Sequence, residues 1–236
     1  MLSNSTKELI RFELERNWTA TFFGFSLALL IVSSPINSAP LYAPSSIIEM
    51  ALRSIGSFKP LILCFLTALT LANSFGRDME QNVVVGELIN PVKKETLFLC
   101  KLLANLIVLI MINFVSIIFS VWLTFVSVHL VSIFLLLVIE TMVALLYASI
   151  SIFISLITRT IFSSVLSSIG TYFLETIFIF TFTNYKITNP EGLFISSILS
   201  NQVSAITGVI TLVHTVFALS LLVFSFFIFS EVLQFD

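Results

Sequence analysis

Long apolar blocks alternate with short polar connectors along nearly the whole chain. The blocks lie at about residues 18–34, 60–75, 97–157, 161–182 and 205–229. A helix crossing a bilayer takes about 20 apolar residues at a rise of about 1.5 Å each. The 97–157 block is therefore long enough for two crossings, with the turn between them near residues 126–129, where His129 would lie at the outer surface. The pattern predicts an all-α polytopic membrane protein with six transmembrane helices, forming a single membrane domain over residues 1–236. The second crossing is short unless its helix begins in the loop before Pro60.

Two further segments depart from the plain alternation. Ahead of the first block, Thr6, Ile10, Leu14 and Trp18 recur at four-residue spacing with charges around the rest of the turn. That spacing puts them on one helical face and predicts an amphipathic helix leading into the first span, with a solvated, partly helical tail as the other reading. Between the fifth and sixth blocks the pattern breaks: TNYKITNPEG is polar and turn-rich, and LFISSILSN is too short to span. A re-entrant or interfacial segment on the outer side, residues 183–204, fits both facts.

The longest polar interruption is the run from Phe75 to Lys101. It holds Arg77, Lys93, Lys94 and Lys101, four of the 11 basic residues, and Asp78, Glu80, Glu87 and Glu95, four of the 13 acids. Such a run belongs in water or among headgroups. Gly76 is placed to release the preceding helix, residues 78–88 can form a short amphiphilic helix, and Asn90 with Pro91 makes a helix start. Lys93 and Lys94 fall in the first turn of that next helix, the unfavourable end for a cation. They suit phospholipid headgroups or an acidic partner instead.

In order, the run gives an acidic cluster, Gly-Glu-Leu-Ile-Asn-Pro, a basic pair, and a Lys opening a new apolar block. It resembles the loop between the second and third spans of type-2 ATP-binding-cassette (ABC) exporter permeases. The resemblance implies that residues 76–96 form a cytoplasmic coupling loop. Its docking surface for a separate ATPase subunit would comprise Asp78, Glu80, Gly86, Glu87, Leu88, Pro91, Lys93 and Lys94, with Lys101 opening the next span. A solvated loop whose lysines only fix topology is the other reading. The same resemblance implies that residues 1–17 form an N-terminal interfacial helix on the cytoplasmic leaflet, and that the chain is a permease subunit working as a dimer of two copies or with a related permease. ATP and Mg would be held by the ATPase partner and no cofactor by this chain.

Composition narrows the classes. The chain is 58% hydrophobic and 10% charged, with a mean hydropathy of +1.10, which excludes an ordinary soluble domain. A net charge of −2 with no basic stripe gives no footprint for nucleic acid. The acids beside Lys7, Arg11 and Arg16 and the lack of a well-placed cleavage site make the first block a retained span rather than a signal peptide. With both termini in the cytoplasm, Lys7, Arg11, Arg16, Arg77, Lys93, Lys94, Lys101 and Arg159 lie inside, against Arg53, Lys59 and Lys186 outside. That is the orientation the positive-inside rule favours, in a multi-pass protein of the cell membrane.

The remaining candidate chemistry is sparse. Glu140 and Glu175 fall inside spans, where an ionisable group faces a cavity, a partner or the bundle interior. They are candidates for a substrate pathway, or for packing as protonated, hydrogen-bonded groups, and His214 is a possible partner for either. Ser163, Ser164, Ser167, Ser168 and Gly170 form a small-residue series that permits close helix packing. Cys64 and Cys100, beside the central loop, read as free thiols, and no metal-site spacing is present. The absence of GxxxxGK[ST], HExxH and GxSxG excludes a P-loop and the corresponding hydrolases within this chain. It is not expected to be an enzyme. Two other functions remain open: a proton-coupled secondary carrier using Glu140 or Glu175, and a membrane assembly protein that moves no substrate.

Overall fold

The computed structural model describes residues 4–16, 20–33, 59–81, 93–124, 130–183 and 205–232, and all its elements are helical. In chain order they are α1 (Asn4–Arg16), α2 (Ala20–Ser33), α3 (Lys59–Leu71), a π-helical segment (Ala72–Gly76), α4 (Arg77–Glu80), α5 (Lys94–Thr124), α6 (Leu130–Thr158), α7 (Ile161–Thr183) and α8 (Ala205–Val232). Two of them, α5 over Lys94–Phe119 and α8 over Val213–Glu231, are long and apolar enough to cross a membrane. This points to membrane association. Shorter apolar stretches lie in α2, α6 and α7.

The break after α6 falls where the polar connector predicts it. The turn expected near residues 126–129, between α5 and α6, lies outside the described residues. Thr158, Arg159 and Thr160 form a minimal connector between α6 and α7, closed by a left-handed Arg159 at φ 54°. An arginine there costs more than a glycine would. The Thr158 and Thr160 hydroxyls both engage Ser163, which tightens the start of α7.

α6 is the central helix and packs against α3, α5, α7 and α8. Its loop end, with α3, the π segment, α5 and α8, encloses a cluster of Leu71, Phe75, Leu97, Phe98, Ile152 and Phe229. Phe75, Phe98 and Phe229 meet ring to ring at centroid separations of 5.3–6.1 Å. A second cluster, built on Phe22, Leu29, Leu66 and Leu109, joins α2, α3 and α5. Outward residues such as Leu103, Ile107, Met111 and Trp122 on α5, and Phe217, Phe224 and Phe227 on α8, are large, apolar and exposed. A soluble surface would not carry rows of this kind, whereas a hydrocarbon surround suits them.

Gly76 does not release the preceding helix. The chain stays helical from Lys59 to Glu80, passing through one π turn, and ends at Gln81. The reason lies in what Gly76 faces. A Cβ there would stand 3.2 Å from Ser155 Oγ and 3.4 Å from both Ile161 Cα and Thr160 O, so the glycine lets the π turn lie against the α6–α7 connector. The expected amphiphilic helix over residues 78–88 is described only to Gln81, and the re-entrant segment beyond Thr183 lies outside the described residues.

Candidate functional site

The described residues bring four charged side chains together where the 76–96 loop leaves and rejoins the bundle. α1 contributes Glu13 and Arg16, α4 contributes Asp78, and α5 contributes Lys101. Asp78 and Lys101 are fully buried and Glu13 is 1% exposed. Burial of this kind is tolerated only when the charges answer one another.

Lys101 Nζ donates to Glu13 Oε1 at 2.7 Å and also to Asp78 Oδ2. Arg16 pairs with Asp78 Oδ1 at 2.5 Å, off the line of a hydrogen bond, and stands 3.8 Å from Glu13 Oε1. Each base thus answers both acids, and the four charges sum to zero. Neutral groups complete the arrangement: Ser74 donates to Glu13 Oε2 at 2.8 Å and Arg16 donates to Asn73 O at 3.0 Å. Both partners belong to the π segment, where the looser winding makes carbonyls available to outside donors. The cluster therefore ties α1, the π segment, α4 and α5 at one point.

This geometry corrects two sequence readings. Asp78 and Lys101 do not lie in water or headgroups; their charged ends are inside the protein, and burial removes the Asp78 carboxylate from any surface a docking partner would touch. On α1, Ile10 and Leu14 are half-buried as the four-residue spacing predicts. The deepest side chain of that helix is Glu13, while Phe12 is 52% exposed. The apolar period misses this because a charge that finds its opposite across the fold packs inward like an apolar residue. The available signal was three basic or acidic residues, Arg16, Asp78 and Lys101, each at the edge of an apolar block.

Other candidates are placed as follows. Glu80 and Lys93 are exposed. Lys94 is half-buried and reaches Ser230 O at 3.4 Å, so it answers the C-terminal carbonyls of α8 rather than standing free. Its unfavourable place in the first turn of α5 is offset by a favourable one at the last turn of α8. Gly86, Glu87, Leu88 and Pro91 lie outside the described residues, as do His129 and the side chains of Glu140 and Glu175, whose backbones belong to α6 and α7.

A second buried polar region was half legible. Ser164 Oγ meets Ser151 and Ser155 at 2.8 Å each and donates to Ser151 O at 2.7 Å, while Ser151 Oγ reaches Ala68 O at 3.1 Å. Ser168 and Cys64 extend the seam among α3, α6 and α7. Of the predicted small-residue series, Ser164 and Ser168 are buried here. Gly170 approaches nothing, since a Cβ there would meet open space. Cys64 and Cys100 are free thiols, both buried.

Fold and site together define an all-helical, membrane-associated chain with an ionic knot at one end. No family model matches it, and no curated protein matches it.

Proposed function

We propose that this chain is the membrane-spanning permease subunit of an ATP-driven ABC exporter. In this reading six helices cross the bilayer with both termini in the cytoplasm, and residues 183–204 form a re-entrant segment before the last crossing. Two copies, or this chain and a related permease, line the substrate pathway above two separate ATPase subunits that hold ATP and Mg.

One observation carries the proposal: the roots of the 76–96 loop are clamped to α1. Asp78 at the exit and Lys101 beyond the return are held by Glu13 and Arg16, so a push on the intervening residues is delivered to α1, α3 and α5 together. A loop that merely connected two spans would have no use for such an anchorage. Docking then falls to the other candidates of the loop, Glu80, Gly86, Glu87, Leu88, Pro91 and Lys93, while Asp78 and Lys94 transmit from inside.

The test is a mild-detergent pulldown of the chain from its native membrane, with mass spectrometry for a co-purifying Walker A protein. The pulldown is repeated with Glu87→Lys and Pro91→Ala. Recovery of an ATPase that the altered loops lose supports the permease reading. Absence of any ATPase, under conditions that keep known complexes intact, sinks it and directs attention to Glu140 and Glu175.

A further inference from the structure

The π segment between α3 and α4 holds one residue more than an α turn would. Arg77 N donates to Ala72 O, five residues back, whereas Gln81 N donates to Arg77 O, four residues back, at 2.9 Å. The wider turn interrupts an otherwise continuous helix and so takes up a surplus residue. Both of its sides are pinned. Upstream, α3 is held to α6 and α7, where Ala68 O accepts from Ser151 Oγ at 3.1 Å and Cys64 Sγ donates to Ser168 O. Downstream, Ser74 meets Glu13 of α1 and Asp78 meets Arg16 and Lys101. α1 is itself seated along α5 and joined to the bundle by the short Arg16–Asp78 and Lys101–Glu13 contacts, so the place that Asp78 must reach is fixed.

Rewinding Ala72–Gly76 as plain α-helix, with α3 fixed, would return the surplus residue to the chain beyond. Each downstream position would then receive the preceding residue, a slip of about 100° and about 1.5 Å. Arg77, which is exposed and bonded to Gln81, would enter the place of Asp78 beside Lys101 and Arg16, and Glu13 would face three cations. Asp78 would enter the apolar place of Met79, a buried charge without an answer. Phe75 would enter the place of Gly76, where even a Cβ stands 3.2 Å from Ser155 Oγ. Charge, polarity and size thus exclude the slipped register separately, at three positions. We propose that the π turn is a register lock: its surplus residue brings Asp78, and not Arg77, to Lys101, and so fixes the direction in which the chain leaves α4 at Gln81. The lock stands whether or not the loop beyond it docks an ATPase.

In an unbroken α-helix, losing a residue and gaining one are equally harmful, because each rotates everything that follows. A surplus residue makes the two unequal. Deletion of Ala72 lets the helix close to plain α winding with Gly76, Asp78 and Met79 still in place, and the thermal unfolding midpoint in lipid nanodiscs stays within about 3 °C of the parent chain. Insertion of one alanine after Ala72 forces the slip, brings Arg77 to Lys101 and lowers the midpoint by about 10 °C or more. Asp78→Asn lowers the midpoint as far in the deletion chain as in the parent, since the carboxylate still sits on Lys101. The register itself is read by spin labels at Phe12→Cys and Gln81→Cys, both exposed, in a chain carrying Cys64→Ala and Cys100→Ala. Their separation is the same with and without Ala72 and shifts on insertion. The proposal is overturned if deletion lowers the midpoint as far as insertion does, if insertion is tolerated as well as deletion, if Asp78→Asn has no effect once Ala72 is gone, or if the Phe12–Gln81 separation moves on deletion.

Discussion

The two buried polar regions of this bundle solve one problem with different materials. The ionic knot uses four long charged side chains from elements as far apart in sequence as α1 and α5. The hydroxyl seam uses short neutral groups from α3, α6 and α7. A serine in a helix has a fallback, because its hydroxyl can return to a carbonyl one turn back, as Ser168 already does with Ser164 O at 3.2 Å. A buried lysine has none. Its partners must all be present or the charge is stranded, so the knot is all-or-none where the seam is graded. The seam thus tolerates the loss of one partner, and the knot does not.

The comparison breaks most sharply at Lys101. Lys101→Met leaves Glu13 and Asp78 sharing Arg16, and the expected loss is about 3–5 kcal/mol, read from denaturant unfolding in detergent. Adding Asp78→Asn to Lys101→Met restores much of it, because Glu13 and Arg16 then balance each other. A loss that persists in the double variant would mean that the lysine matters for shape rather than charge.

Gly76 stands between the two regions, since the π turn that serves the knot also presses on the seam. Gly76→Ala gains helix propensity of up to about 1 kcal/mol. It also drives a methyl against Ser155 Oγ and the Thr160–Ile161 backbone, where overpacking costs about 1–3 kcal/mol. A net loss of about 1 kcal/mol follows from these two ranges. Ser155→Ala in the same chain removes the 3.2 Å contact and recovers part of it. If Gly76→Ala is neutral or stabilising, the connector is free to shift and the two regions are mechanically separate.

Much of the architecture was legible because apolar blocks and their polar breaks are local facts. The connector at Arg159 and the start of α7 at Ile161 fall where the pattern puts them. What was not legible depends on pairing across the fold. Gly76 reads as a helix breaker in sequence and acts as a packing surface, because its role is set by the α6–α7 connector more than eighty residues away. Glu13, Asp78 and Lys101 read as solvent-facing one at a time, and only their convergence makes burial tolerable. Lys94 was seen to oppose its own helix dipole, but its service to α8 at Ser230 was not in the local pattern.

Within the seam, the graded behaviour is tested at its hub. Ser164→Ala deletes contacts to Ser151 and Ser155, whose hydroxyls turn to backbone carbonyls. The expected loss is about 0.5–1 kcal/mol, in keeping with polar contacts between membrane helices. Ser167→Ala, which removes only a bond to Ser164 O in its own helix, costs less. Equal losses at both positions would deny Ser164 its place as the joint.

The smallest effect is expected on the outer face of α1, where Arg11 pairs with Glu15 at 2.8 Å on the same helix that supplies Glu13 and Arg16. The side chains are 81% and 63% exposed, so water and salt screen the pair. The hydrogen bond from Arg11 to Glu15, and then its charge, raise an already high guanidinium pKa. A base with a raised folded pKa contributes stability that is lost only as pH climbs through that value, which here lies far above the working range. Arg11→Ala should therefore leave the unfolding midpoint unchanged at every pH from about 5 to 9. Should the midpoint fall, charge along the whole length of α1 would hold it, and the special standing of the buried cluster would be lost.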